Sequence, residues 1–235
     1  MAGSSVKLRV TPFTKHGIFL VEDHPVTREG FAQLLNFEPD LEVCGQAGSV
    51  AEAVPAIATL QPDLVIIDVA LGGTSGIELI KELIGRRPEL LMLVLSTHDE
   101  ALYAERSLQA GARGYIMKSA ATNEIFEAIR HVLSGKVYLS ERMNERMRQR
   151  LTKASISGAR IDSEVELLTD RELEIFQLIG QGRSTNEIAT ALALSPSTVA
   201  THRNHIQEKL HIDALSELVC RAARWVQRQD WPAHP

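Results

Sequence analysis

Four ionisable residues at the ends of three short apolar runs are the residues of this chain best placed to do chemistry. Glu22 and Asp23 end the first run, Asp68 ends the second and Lys118 ends the third. Each run has the pattern of a β-strand, and neighbouring parallel strands end side by side at one edge of a sheet. Clustered carboxylates repel one another unless a divalent cation or the lysine compensates, and oxygen ligands favour Mg²⁺. The pattern therefore predicts a pocket for phosphoryl chemistry.

The segments around these residues alternate between strand and helix patterns. The predicted strands cover residues 16–21, 41–45, 63–68, 90–95 and 113–117, and the predicted helices cover 25–37, 49–60, 76–86, 99–110 and 121–134. Repeated βα units of this length predict an α/β fold with a doubly wound, five-stranded parallel sheet and helices on both faces.

Beyond residue 165 the sequence carries only helix signals. Capping boxes at 169–172 and 184–187 and the pair Ser195-Pro196 each start a helix. The predicted helices cover about 170–180, 184–192, 196–209 and 214–227. The three residues between the second and third have the length of a helix-turn-helix turn. A small all-α domain is therefore expected to follow the α/β domain.

Charge changes along the chain and indicates where the two domains meet. The stretch 141–161 is basic, whereas the sequence on either side of it is acidic within a chain of net charge −5. A basic stretch with serine, glycine and lysine favours a linker. The predicted organisation is an N-terminal extension at 1–15, an α/β domain at 16–138, a linker at 139–163 and a helical domain at 164–230.

Composition excludes several classes of protein. A chain of 235 residues with 44% hydrophobic residues can build real cores. It has no run of about 18 apolar residues and no apolar signal-peptide segment at its start, which predicts a cytoplasmic protein without a membrane partner. Cys44 and Cys220 are far apart within apolar patterns and are expected to be reduced, buried side chains.

With these motifs in the same chain, the sequence resembles a two-component response regulator of the NarL/FixJ subfamily. The resemblance rests on Leu-Val-Glu-Asp-His-Pro at 20–25, Leu-Thr-Asp-Arg-Glu at 168–172, Ser-Pro-Ser-Thr-Val at 195–199 and Glu-Lys-Leu at 208–210. It implies a flavodoxin-like receiver domain joined to a LuxR-type helix-turn-helix domain. The implied function is DNA-binding transcription regulation controlled by phosphorylation, and the chain is not expected to be an enzyme.

The resemblance also assigns roles around the predicted pocket. Asp68 is implied to accept the phosphoryl group. Glu22 and Asp23 are the implied acidic pair around Mg²⁺, with Asp23 as the direct ligand and the backbone carbonyl of Ala70 completing the protein ligands. A carboxylate that attacks a phosphoryl donor needs such cations, because negative charge must be offset during transfer.

Three further residues have roles implied by the same resemblance. Lys118 is expected to pair with the phosphoryl oxygens, Ser96 to move its hydroxyl toward them, and Tyr115 to act as an aromatic switch. Taken alone, Ser96 is more typical of a strand-end cap and Tyr115 of a half-buried aromatic residue. His98, two positions beyond Ser96, is expected to lie in a loop and to tune the lifetime of the phosphoryl group.

Two positions depart from the family pattern. Gly72 stands where proline is common, which predicts a less rigid loop after Asp68. Ser119 follows Lys118 where many receivers have a proline with a cis peptide bond, so the isomer of that bond stays open.

The helix at 196–209 is expected to enter the major groove of DNA. Its inward stripe is Val199, His202, Ile206 and Leu210, and its outward residues are Ala200, Thr201, Asn204 and Gln207. The residues expected to contact phosphates are Arg183, Arg203 and Lys209. The alternative for these three is that they are ordinary solvated charges. The outward face carries no lysine, which predicts weak binding of phosphates by one copy.

The partners implied are a sensor histidine kinase as donor, double-stranded DNA and a second copy of the chain on activation, with RNA polymerase left open. One alternative is a receiver-type regulator that works through protein contacts without phosphorylation. An enzyme with a flavodoxin-like nucleotide or flavin site is disfavoured, because Glu22-Asp23 ends the first strand where a phosphate cradle needs glycines and hydroxyl groups.

Overall fold

A five-stranded parallel sheet forms the centre of the N-terminal half. The computed structural model describes residues 15–71, 74–98, 100–145, 148, 165, 167–192 and 194–230. The sheet consists of β1 (His16–Val21), β2 (Leu41–Ala47), β3 (Leu64–Ile67), β6 (Leu91–Ser96) and β7 (Gly114–Met117), in the order β2-β1-β3-β6-β7. A short antiparallel pair, β4 (Ala70–Leu71) and β5 (Thr74–Ser75), lies outside this sheet.

Five helices cover the two faces of the sheet. They are α1 (Pro25–Phe37), α2 (Val50–Leu60), α3 (Gly76–Arg86), α4 (Glu100–Ala110) and α5 (Thr122–Leu133). Alternate residues of a strand face opposite sides, so Val65 and Ile67 pack with α2, α3 and α4 while Leu64 and Ile66 pack with α1 and α5. The central strand β3 is buried along its whole length, as a parallel strand covered on both faces must be. The predicted doubly wound sheet is confirmed.

The helical half consists of α6 (Asp170–Gly180), α7 (Thr185–Ala191), α8 (Pro196–Lys209) and α9 (Leu215–Asp230). Both predicted capping boxes are present, at Thr169 with Glu172 and at Ser184 with Glu187. Phe176 of α6 packs against Trp225 of α9, with 5.6 Å between the ring centroids. Among the described residues, no helix has both the length and the hydrophobicity that crossing a membrane requires.

The two halves are packed against each other in this structure. The apolar cluster on the α2, α3 and α4 face continues into the core of the helical domain. Arg106 of α4 donates to the carbonyl oxygens of Val165 and Leu168 and pairs with the buried Asp170 carboxylate at 3.0 Å. Lys81 of α3 lies 3.6 Å from the same carboxylate. The start of α6 is therefore seated on α3 and α4.

Other predictions have mixed outcomes. The peptide bond after Lys118 is trans, since the described residues contain no cis peptide bond. Gly72 lies outside the described residues, and so does most of the linker at 139–163, apart from residues 139–145 and 148. The predicted domain boundaries therefore stay predictions. Cys44 is half-buried, whereas Cys220 is exposed, which corrects the expectation of burial because Cys220 lies on the outer face of α9.

Gly76, the first residue of α3, has close contact with the backbone of Asp68. A Cβ atom at Gly76 would lie 1.9 Å from the Asp68 carbonyl oxygen, whereas one at Gly85 of the same helix would meet nothing within 4 Å. We expect Gly76→Ala to destabilise the protein by about 2 kcal/mol because backbone must move. Gly85→Ala should stabilise it by about 0.5–1 kcal/mol through helix propensity.

Urea unfolding of both variants, followed by circular dichroism, measures this difference. Equal stability of the Gly76 and Gly85 variants would mean that the contact between α3 and Asp68 does not constrain the pocket.

Candidate functional site

The predicted acidic pocket lies at the carboxyl edge of the sheet. Val21 of β1 is in register with Ile67 of β3, so the residues that follow these two strands are neighbours. Glu22 and Asp68 are 6% and 5% exposed, and Asp23 is half-buried beside them. The structure therefore brings the three predicted carboxylates together at the end of adjacent strands.

Lys118 supplies the positive charge of this pocket. It follows β7, and its Nζ lies 2.6 Å from Oδ2 of Asp68 and also pairs with the carboxylate of Glu22. Burial would lower the pKa of Lys118, but the two carboxylates outweigh that effect and raise it. Lys118 is thus held as an ammonium group between two buried anions.

Ser96 and Tyr115 complete the predicted set. Ser96 ends β6, between β3 and β7, and its buried hydroxyl donates to Oδ1 of Asp68 at 2.7 Å. Asp68 therefore has a cation on one oxygen and a hydroxyl donor on the other. The Tyr115 ring is fully buried, and its hydroxyl donates to the carbonyl oxygen of His98 at 2.7 Å.

The donor set of the pocket fits a hard divalent cation. Glu22, Asp23 and Asp68 offer carboxylate oxygens, and Ala70 follows Asp68 by two residues with a carbonyl oxygen on the short β4 strand. Oxygen ligands of this kind suit Mg²⁺, which binds through few carboxylates and keeps several waters. The residues present are consistent with the predicted metal.

His24, which follows Glu22-Asp23, is a further residue at the edge of the pocket. Its Nδ1 lies 2.8 Å from Oδ1 of Asp23 and 3.2 Å from Oε1 of Glu22, while its side chain is 73% exposed. The ring therefore stands over the acidic pair from the solvent side. Its position next to Glu22-Asp23 is visible in the sequence, but the direction of its side chain is not.

The outward face of α8 is only partly as predicted. Thr201 and Asn204 are exposed, whereas Ala200, Arg203 and Gln207 are half-buried. The Gln207 amide group donates to the carbonyl oxygen of Ile212 at 3.4 Å, so this side chain bends toward the segment after α8. Thr201 and Asn204 are the predicted base readers that the structure leaves open.

The predicted phosphate contacts differ in their surroundings. The side chain of Arg183 is 58% exposed, with 3.8 Å between its guanidinium and Glu187. The Lys209 ammonium lies 2.6 Å from the Glu172 carboxylate, which also accepts from the backbone N–H of Thr169. Lys209 therefore joins α8 to the capping box of α6 and is not an unengaged surface cation.

Glu172 also lies near two histidines of α8, which is a grouping that can suggest a metal site. Ligand atoms of Glu172, His202 and His205 are within 4.8 Å of one another. Burial, and next to it Arg171, lower the pKa of His202. Lys209 already neutralises Glu172, and Arg171 lies near His202. These three side chains are therefore explained by packing between α6 and α8.

Comparisons with known proteins agree with both halves of the fold. Residues 18–130 match the response regulator receiver domain, and residues 166–222 match the bacterial regulatory proteins of the luxR family. The oxygen regulatory protein NreC of Staphylococcus carnosus (strain TM300) is 33% identical over 204 residues, which cover 86% of this chain and 94% of NreC. The response regulator GacA of Pseudomonas aeruginosa is 33% identical over 207 residues, which cover 88% of this chain and 95% of GacA.

Solved structures give the same result. A LuxR-family two-component response regulator from Aurantimonas sp. SI85-9A1 is 29% identical, has a TM-score of 0.56 and covers 59% of this chain and 99% of its own. The signal receiver domain of the response regulator NarL from Mycobacterium tuberculosis is 28% identical, has a TM-score of 0.50 and covers 52% of this chain and 99% of its own.

The pocket geometry predicts a large stability effect for Lys118. Lys118→Met removes the cation between two buried carboxylates and should lower the free energy of unfolding by about 3 kcal/mol. The control Lys136→Met changes an exposed lysine and should stay within about 0.5 kcal/mol of the parent. Urea unfolding of the full chain at neutral pH measures both, and a similar small loss in the two variants would refute the compensating role.

Proposed function

This chain belongs to the two-component response regulators of the NarL/FixJ type, and from that premise we propose that Asp68 is its phosphoryl acceptor. The family makes the protein a phosphorylation-controlled, DNA-binding regulator of transcription. One observation supports Asp68 above the other acids. Its carboxylate is 5% exposed, with Lys118 on one oxygen and Ser96 on the other. These partners would stabilise charge on a phosphoryl group added there.

The proposed transfer needs no other nucleophile. A carboxylate oxygen of Asp68 forms a bond to phosphorus as the bond from phosphorus to the donor, a phosphohistidine of a sensor histidine kinase, breaks and the imidazole leaves. Lys118 pairs with the transferred oxygens and offsets their charge. Glu22, Asp23, Asp68 and the Ala70 carbonyl would hold Mg²⁺, which when bound adds further charge neutralisation.

After transfer, Ser96 and Tyr115 would carry the signal. The Ser96 hydroxyl now donates to Asp68 and would donate to a phosphoryl oxygen instead. Tyr115 is linked to the segment that follows Ser96, because its hydroxyl donates to the carbonyl oxygen of His98. The alternative function, a receiver controlled by protein contacts without phosphorylation, gains no observation in its favour.

The output would be a dimer on a two-fold DNA site, with RNA polymerase as the further partner. Thr201 and Asn204 are the exposed base readers of α8, and Arg183 is the exposed residue among the three expected phosphate contacts. Few cationic contacts per copy mean weak binding by a monomer. Two copies that bind half-sites about one helical turn apart would provide the affinity that one copy lacks.

The acceptor assignment is tested by phosphoryl uptake. Asp68→Asn should gain no phosphoryl group from acetyl phosphate and Mg²⁺, because the nucleophilic carboxylate is replaced. Asp63→Asn is the matched control, since Asp63 precedes the same strand, accepts from the Gly17 backbone N–H and lies 3.7 Å from His16, away from the pocket residues. Intact-mass measurement should show uptake in the parent and in the control. Uptake by Asp68→Asn equal to that of the parent would overturn the assignment.

The reading of DNA is tested by comparing two kinds of residue. Asn204→Ala should cost about 1–3 kcal/mol on a specific A/T-containing site and little on random DNA, because asparagine pairs best with adenine. Arg183→Ala should weaken binding to both duplexes alike, since a phosphate contact carries no sequence information. Both are titrated at one salt concentration. An equal loss on both duplexes for Asn204→Ala would make Asn204 a backbone contact.

A further inference from the structure

One imidazole ring connects the phosphorylation pocket directly to the DNA-binding domain. Nδ1 of His98 lies 3.2 Å from the Ser96 hydroxyl, whose hydrogen is donated to Asp68. Nε2 of the same ring lies 3.3 Å from Oε1 of Glu174 in α6. Only His98 and Ser96 therefore separate Glu174 from the acceptor carboxylate.

The carboxylates of Asp68 and Glu174 determine which atoms donate in these contacts, because a carboxylate can only accept. Ser96 has one hydroxyl hydrogen and gives it to Asp68, so its contact with His98 requires the ring to donate. Glu174 as a carboxylate can only accept, so the second ring nitrogen must donate as well.

Glu174 is held firmly enough to position this ring. The residue is 8% exposed, and Arg171 donates to its other carboxylate oxygen at 2.6 Å. Burial would raise the pKa of Glu174, but His98 and Arg171 outweigh it and the pKa is lowered. Glu174 is therefore a charged, anchored acceptor in the domain interface, and His98 is in addition packed edge-on against Tyr103.

We propose that Glu174 is a positioning residue of the receiver pocket, which acts through His98 to hold Ser96 in its resting position on Asp68. The proposal rests on the proposed function of Asp68 and Ser96. When Asp68 carries a phosphoryl group, the Ser96 hydroxyl must move toward the new oxygens. That movement is opposed by the contact with His98, because Glu174 fixes the position of the ring. The contact with the DNA-binding domain thus favours the unphosphorylated pocket.

Coupling of this kind is reciprocal. If the Glu174 contact disfavours the phosphorylated pocket, phosphorylation must weaken the Glu174 contact by the same factor. The pocket would then loosen its hold on α6, whose first residues are also seated on Arg106 and Lys81. Phosphorylation of the pocket would in this way weaken the contact that holds the DNA-binding domain.

The test uses the intact chain and beryllofluoride with Mg²⁺ as an equilibrium mimic of the phosphoryl group, with bound mimic measured by fluorine NMR. Glu174→Gln should tighten the apparent affinity for beryllofluoride by about fivefold, the lower end of typical coupling between sites. His98→Asn retains a donor near Ser96 but cannot reach Glu174. In that background, Glu174→Gln should change the affinity by less than about twofold, because the pathway is already cut.

Asp170→Asn is the matched control for the interface. It weakens the contacts of α6 with Arg106 and Lys81 without touching His98. If the Glu174 effect persists in the His98→Asn background, or if Asp170→Asn reproduces it in full, Glu174 acts only by general loosening of the interface and the proposal is overturned. Failure of the parent to bind beryllofluoride would instead refute the proposed function. Unchanged affinity in Glu174→Gln, with normal binding by the parent, would refute the positioning role alone.

Discussion

The ammonium group of Lys118 between two buried carboxylates is the interaction on which the rest of this structure depends. Glu22 and Asp68 follow adjacent strands and are almost completely removed from water, so their charges need a partner. Lys118 reaches both from the end of β7. The strand order of the sheet places all three at one edge, and the apolar strands that precede them fix their positions. The same strand order that forms the sheet therefore also forms the pocket.

A pocket built on charge compensation also responds to added charge. The partners of Asp68 are one cation and one hydroxyl group, and both are donors that a phosphoryl dianion would redirect. Ser96 is the donor with a second contact, to His98, and through it to Glu174. A change at Asp68, the proposed acceptor, can thus reach the helical domain through Ser96 and His98. The apolar cluster that joins the two domains makes the interface a single packed unit.

Much of the fold and of the pocket could be predicted from sequence, because strand patterns and helix caps are set by residues close together in the chain. Apolar runs with ionisable ends predicted the strands and the pocket, and capping boxes such as Thr169 with Glu172 predicted where helices begin. The contact of His98 with Glu174 could not be predicted, since it joins residues from different domains and depends on how the domains pack. The pairing of Lys209 with Glu172 was missed for the same reason. A lysine on a helix has the same pattern whether it faces solvent or a buried acid.

Hydrogen exchange in the intact chain tests the central claim, that charge at Asp68 controls the contact between the domains. We expect the amide hydrogens of residues 170–175, at the start of α6, to exchange slowly where this segment is seated on α3 and α4. With Mg²⁺ present, addition of beryllofluoride should increase exchange in this segment and leave the far helix α9 unchanged. Exchange at 170–175 that stays the same, in protein shown to have bound the mimic, would contradict the account.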